Sequence, residues 1–204
     1  MVVSNPGLNQ SSNHSLNCQE LAIVPHYLIL RGNKTHENIL CIVSGVLALS
    51  LLAQMSISLP WTPVPITGQT FGVALIALLW GRKRGTAAVL SYLFLGGMGL
   101  PIFAMGKSGF SLGPTFGYLV GMLVAAYLMG TLADRGWTKK FFLSYFAAFL
   151  GSLVIFSFGV LVLSFFIPRE NLLMAGVLPF LPGDIIKTML ASSLAFQAQK
   201  MGKN

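Results

Sequence analysis

Residues 182–187 read Pro-Gly-Asp-Ile-Ile-Lys at the head of an apolar stretch that runs to Phe196. Asp184 and Lys187 stand three apart, so a helix puts them on one face. They are the one acid and the one base that the sequence sets inside an apolar stretch. A charge near a bilayer centre costs about 2.5–3.5 kcal/mol on insertion scales, so such residues mark functional sites. Together they spell an ion pair with room to meet a polar ligand, an acceptor beside a donor. The alternative is a structural pair that only neutralises itself.

Two other segments carry polar groups in unusual backbone. Residues 59–70, Leu-Pro-Trp-Thr-Pro-Val-Pro-Ile-Thr-Gly-Gln-Thr, hold Pro60, Pro63 and Pro65, which keep the chain out of helix. Thr67, Gln69 and Thr70 add uncharged hydrogen-bonding groups. Irregular backbone at membrane depth is tolerated where it is buried in protein or lines a cavity. The segment therefore reads as a pocket wall or lid, or else as a plain external loop. Residues 105–118 carry Gly106, Gly109, Gly113 and Gly117, which let backbone approach a ligand or let helices pack closely. Pro114 suits a first helical turn, Thr115 and Tyr118 offer hydroxyls, and Lys107 and the helix N-terminus would favour an anion. Lys107 also reads as an ordinary solvated loop charge.

Catalytic signatures are missing. There is no Walker loop, GxSxG or HExxH, and no second acid to pair with Asp184 for acid–base work. The chain is expected not to be an enzyme, and to bind no metal. Cys18 and Cys41 form no CxxC or Cys/His spacing, and His14, His26 and His36 scatter through the N-terminal segment.

The elements that must position these residues are apolar. Of 204 residues 54% are hydrophobic and 9% charged, against about 25% charged in soluble domains, so the solvent is lipid. Residues 1–37 form a polar N-terminal extension without signal-peptide architecture; its 21–30 stretch is too short to span. Residues 38–200 form one domain of six helices, near 38–58, 70–81, 86–100, 115–133, 141–167 and 179–199. The uninterrupted runs do not fit the alternating strands of a β-barrel, and no internal repeat is visible. With the N-terminus cytoplasmic, inner connections hold Arg31, Lys34, Arg82, Lys83, Arg84, Arg135, Lys139, Lys140, Lys200 and Lys203. Outer ones hold Lys107 and Arg169. This positive-inside bias puts both termini in the cytoplasm. Bases clustered between apolar runs exclude a nucleic-acid surface. The three unusual segments then share the outer face, which implies one site open to the outside. Ser44 and Ala48 in the first span have small-xxx-small spacing, suited to a partner helix or to packing within the bundle.

Ile-Thr-Gly-Gln-Thr-Phe (66–71), Gly-Leu-Pro-Ile-Phe-Ala (99–104), Leu-Gly-Pro-Thr-Phe-Gly-Tyr (112–118) and Leu-Pro-Gly-Asp-Ile-Ile-Lys (181–187) resemble the BioY family. Those proteins are the biotin-binding S components of energy-coupling factor (ECF) transporters. The likeness covers residues 38–200 in matching order and spacing. It implies an all-α, six-helix S-component fold in a bacterial plasma membrane, with biotin bound near the outer face. It implies as partners a transmembrane coupling subunit and a pair of ATPases. No cofactor is expected on this chain, since any ATP is hydrolysed by the partner subunits. The family's acid and base fall on Asp184 and Lys187, and its loop polar residues on Thr67 and Gln69. Its glycine-rich motif falls on Gly113, Pro114, Thr115, Gly117 and Tyr118, and its partner-binding face on Ser44 and Ala48.

Biotin's ureido ring suits these residues, with N–H donors for Asp184 and a carbonyl for Lys187. A site built to hydrogen-bond that ring would reject analogues lacking it. Lys107 is the candidate for the carboxylate, and Trp61, Phe103 or Tyr118 for the bicyclic body. The sequence departs from the family at Phe116, where a glycine is common, and in the loop at 105–111. Its N-terminal extension is also atypical. The other readings are a solitary biotin carrier without a dedicated ATPase module, and a structural membrane protein.

Overall fold

The computed structural model describes residues 34–109 and 112–201. The expectations for Cys18, His14, His26, Arg31, Lys203 and the 21–30 stretch fall outside them. The first helix, α1 (Lys34–Gln54), begins at Lys34 rather than near Asn38, so His36 and Glu37 belong to a helix and not to a tail. Glu37 sits in the first turn, where a helix N-terminus favours an acid. Arg84 holds this turn from α2, 2.7 Å from the Asn38 side-chain oxygen and 3.9 Å from Glu37. The inner face of α1 repeats every four residues, through Cys41, Gly45, Leu49 and Ala53. It packs on α2, where a β-carbon added to Gly45 would stand 2.6 Å from the Trp80 ring.

The second and third expected spans are two arms of one folded element, α2 (Gln69–Gly97). Gly81 breaks it with φ 72° and ψ −171°, a conformation open essentially to glycine alone. A β-carbon at Gly85 would lie 3.0 Å from the Ala77 Cα. Along one straight helix, residues eight apart would be about 12 Å apart at 1.5 Å rise per residue. The arms, 69–80 and 82–97, are each shorter than the roughly 20 residues that cross a bilayer. The bend is closed by α3 (Phe116–Asp134): the Arg82 backbone N–H donates to the Asp134 carboxylate at 3.1 Å, and Gly130 packs on Arg82.

Helix α4 (Phe141–Leu163) lies along α3, and α6 (Leu181–Met201) packs against both α2 and α4. Between α4 and α6, the expected connection contains the short helix α5 (Leu172–Gly176). The segment Arg169–Gly176 is bent 43° from α6. Among the described residues three helices are each long and apolar enough to cross a membrane, α1 from Thr35, α3 and α4, and the bent pair makes a fourth if it is counted as one span. With the two arms of α2, the bundle has the six-helix order expected, and the protein is a multi-pass membrane protein.

Among the described residues one strand pair accompanies the helices: β1 (Ser56–Ile57) and β2 (Ile66–Thr67) are antiparallel, with Ser56 opposite Thr67. The prolines of 59–70 thus end in a small hairpin and not in free coil. Its tip is pinned down, because Thr62 is buried and its hydroxyl donates to the Ala175 carbonyl at 2.7 Å. Val64 joins the core.

The bend at Gly81 generates a prediction. A side chain there is forced into a region that costs about 1–3 kcal/mol. Gly81→Ala should therefore lower the melting temperature in detergent. An unchanged melting temperature would contradict the folded α2.

Candidate functional site

The helix ends sort into two groups. At one end lie the Gly81 bend with Arg82, Lys83 and Arg84, the end of α3 with Arg135, the start of α4 with Lys139 and Lys140, and Lys200 of α6. The other end gathers the β-hairpin, the 98–115 connection, α5 and the start of α6. Of the lysines and arginines there, only Lys107, Arg169 and Lys187 are present among the described residues.

A cavity of about 350 Å³ opens at this second end. Its wall includes Thr67, Gln69, Phe103, Lys107, Thr115, Tyr118, Asp184 and Lys187. These eight side chains, all named from the sequence as substrate contacts, are thus brought to one space. Trp61 is not; it is 65% exposed on the hairpin, away from the wall. The expected cluster of glycines divides. Gly106 and Gly109 line the cavity with φ of +66° and +80°, while Gly117 is a packing residue pressed against the Phe158 carbonyl. Pro114 and Thr115 precede α3, which starts at Phe116. Phe116 is not part of the cavity wall, so the departure from glycine there does not narrow it.

Asp184 and Lys187 share the wall but do not form the expected ion pair. Among the described residues the one ion pair is Arg84–Glu37. Each finds a neutral partner instead. The long lysine stem carries its ammonium across to the Thr67 carbonyl at 2.7 Å, joining α6 to β2. The Asp184 carboxylate accepts the Ser152 hydroxyl of α4 at 3.0 Å. The ammonium has three donors and the carboxylate about four acceptor sites, so both retain capacity towards the cavity.

The other walls are built from the core. Tyr118 is buried, its ring filling the space beside Gly159 and its hydroxyl donating to the Gly176 carbonyl at 2.8 Å. Gln69 is 4% exposed and donates through its side-chain nitrogen to Tyr92 at 2.7 Å. The turn at 103–107 contains Met105 at φ 62°, uncommon for a residue with a β-carbon. Gln54, in the last turn of α1, spans that turn by donating to the Phe103 carbonyl at 3.1 Å and accepting from the Gly106 N–H at 3.1 Å. Lys107 stands exposed at the rim. The result is a compact pocket with a carboxylate, an ammonium, an amide and hydroxyls on some sides, and Phe103, Phe156 and Phe180 on others. Such a pocket holds a small ligand with both polar and apolar faces.

Sequence reasoning missed Ser152, Phe156 and Phe180. A signal for Ser152 exists: Ser144, Ala148, Ser152, Ile155 and Gly159 form the buried stripe of an otherwise large and aromatic α4. Its small residues point inward; Phe142, Phe146, Phe149 and Phe158 are exposed on the outside, while Phe156 reaches the cavity. Ser44 and Ala48 are half-buried and lie beside the exposed Val43, Leu47 and Leu51 of α1. Ala48 also packs against the core, and Gly45 makes the closest approach to α2.

The chain as a whole is similar to known proteins. The family model described as "BioY family" matches residues 27–204. The biotin transporter BioY of Thermotoga maritima is 37% identical over 163 residues, 78% of this chain and 95% of that protein. That of Rhizobium etli is 36% identical over 162 residues, 73% of this chain and 84% of that protein. The crystal structure of the S-component for biotin from an ECF-type ABC transporter aligns with a TM-score of 0.76 and 27% identity. It covers 85% of this chain and 94% of that one.

Ser152→Ala should test how the carboxylate is held. Asp184 is buried, and removing the hydroxyl it accepts costs about 1–3 kcal/mol. The expected result is a lower melting temperature in detergent; no change would mean that the carboxylate does not depend on α4.

Proposed function

The chain belongs to the BioY family, and on that premise we propose that it is the substrate-capturing component of a biotin uptake system. It takes biotin into the cavity and releases it on the other side of the membrane. A transmembrane coupling subunit and a pair of ATPases supply the energy. The single observation that carries this reading is the meeting of Asp184, Lys187, Thr67, Gln69 and Tyr118 around one cavity of about 350 Å³. That volume lies within the range of about 300–1,000 Å³ usual for small-ligand pockets.

The chemistry of the ligand fits the wall. Asp184 accepts a ureido N–H, and Lys187 donates to the ureido carbonyl. Holding the two charges apart, on Ser152 and the Thr67 carbonyl, is what leaves each able to do so. Phe103, Tyr118, Phe156 and Phe180 flank the bicyclic body. Lys107 at the rim takes the carboxylate. The base-rich end faces the cytoplasm, as the positive-inside rule favours, and the cavity faces out with both termini inside. The coupling subunit docks on α1 along Ser44 and Ala48, which the bundle leaves half-buried.

Two measurements test the proposal. Purified protein should bind biotin, and Asp184→Ala and Lys187→Ala should each weaken binding roughly 10- to 150-fold, the value of a charged hydrogen bond. No binding by the wild type, or undiminished binding by both variants, would sink the proposal. Lys107→Ala should weaken biotin by a few-fold while leaving unchanged the binding of a biotin amide, which has no carboxylate. An equal loss for both ligands would remove Lys107 from the carboxylate. Uptake by cells that lack every coupling subunit would show a carrier that works alone.

A further inference from the structure

A buried chain of hydrogen bonds beneath the cavity has a fixed direction. The Ile102 backbone carbonyl can only accept, and the Tyr92 hydroxyl lies 3.0 Å from it. A phenol has one proton. Tyr92 gives that proton to Ile102 and keeps only lone pairs for its other neighbour. That neighbour is the Gln69 side-chain nitrogen, at 2.7 Å. Amide oxygen and nitrogen are assigned from such networks, and here the network allows one answer. A reversed amide would draw the single phenol proton to its own oxygen and leave the Ile102 carbonyl without its donor. Tyr92 is 1% exposed and Gln69 4%, so no solvent reaches the contact to relieve a reversed amide.

The consequence reaches the cavity. With its nitrogen held by Tyr92, Gln69 turns its oxygen towards Thr67, whose hydroxyl donates to it at 3.1 Å. The Gln69 backbone N–H lies 3.4 Å from that same hydroxyl. Thr67 and Gln69 line the cavity; Tyr92 does not. A carbonyl oxygen has two lone pairs, and Thr67 takes one. We infer that Tyr92 is a positioning residue that locks Gln69 as an acceptor, so that the α2 wall selects a ligand N–H donor. The inference rests on the cavity being the biotin site. It deepens that reading by giving a ligand with two ureido N–H groups a second acceptor, on α2, besides Asp184 on α6.

Tyr92→Phe isolates the effect, because it keeps the ring and its edge-on contact with Phe103, 5.5 Å between centroids, and removes only the hydroxyl. Calorimetry on the full chain in detergent should show biotin affinity falling about tenfold. In a Gln69→Leu chain the same substitution should change affinity by less than about twofold, since the group it acts through is gone. A tenfold loss in both backgrounds would overturn the inference, because a hydroxyl that merely supports the fold acts with or without Gln69. Wild-type protein that fails to bind biotin would refute the functional reading instead. The lock is then read from melting temperatures. Tyr92→Phe should lower the melting temperature less in the Gln69→Leu chain than in wild type, and equal lowering would overturn the lock. Should Tyr92→Phe not fold, Gln69→Glu measured at pH 8 serves. A carboxylate has no N–H for Tyr92, so the melting temperature must fall; an unchanged value overturns the proposal.

Discussion

A membrane interior offers no water to a free backbone N–H or carbonyl, so each must be satisfied within the protein. This structure departs from regular helix in several places, and at several of them a side chain from another part of the fold repairs the loss. Asp134 takes the Arg82 N–H at the bend of α2. Tyr92 covers the Ile102 carbonyl, Gln54 the Phe103 carbonyl and the Gly106 N–H, and Tyr118 the Gly176 carbonyl. Thr62 covers the Ala175 carbonyl, and Lys187 the Thr67 carbonyl. All but the first of these repairs lie at the cavity end. The cavity is therefore the place where irregular backbone is gathered and satisfied by polar side chains that reach in from α1, α2, α3, the hairpin and α6.

The same constraint explains why two charges lie in one wall without joining. Paired with each other, Asp184 and Lys187 would cancel, and burial makes the net worth of such a pair small. Each is instead stabilised by a neutral dipole, the carboxylate by Ser152 and the ammonium by the Thr67 carbonyl. Donor and acceptor are thereby held at separate points of one surface. That arrangement can meet a ligand that carries both kinds of group at a fixed spacing.

Much of this was legible in the sequence, for identifiable reasons. Asp184 and Lys187 stood out because charge in an apolar run has few causes, and Thr67 and Gln69 because prolines framed them. Spacing along a helix showed that the charges share a face, but it could not show their partners. Thr67 is 120 residues from Lys187 and Ser152 is 32 from Asp184, so both contacts depend on how helices pack. Gly81 was hidden because its neighbours Arg82, Lys83 and Arg84 read as an ordinary loop. In the structure those residues already belong to the second arm, and one glycine makes the whole turn. Phe156 and Phe180 were invisible as cavity walls because the chain has 15 phenylalanines, and nothing in the sequence separates these two from the ones exposed on the outside of the bundle.

Gln54 gives the bundle a mechanical property. Its amide grips both ends of the turn that carries Met105, while it sits in the last turn of a helix whose outer flank shows Val43, Leu47 and Leu51. A hydrogen bond weakens within a few tenths of an ångström of stretch. Helix α1 cannot tilt or slide at that end without either dragging the cavity wall along or breaking both bonds. The lipid-facing helix and the rim that bears Lys107 are coupled like a handle and a latch, and a force applied to one is felt at the other.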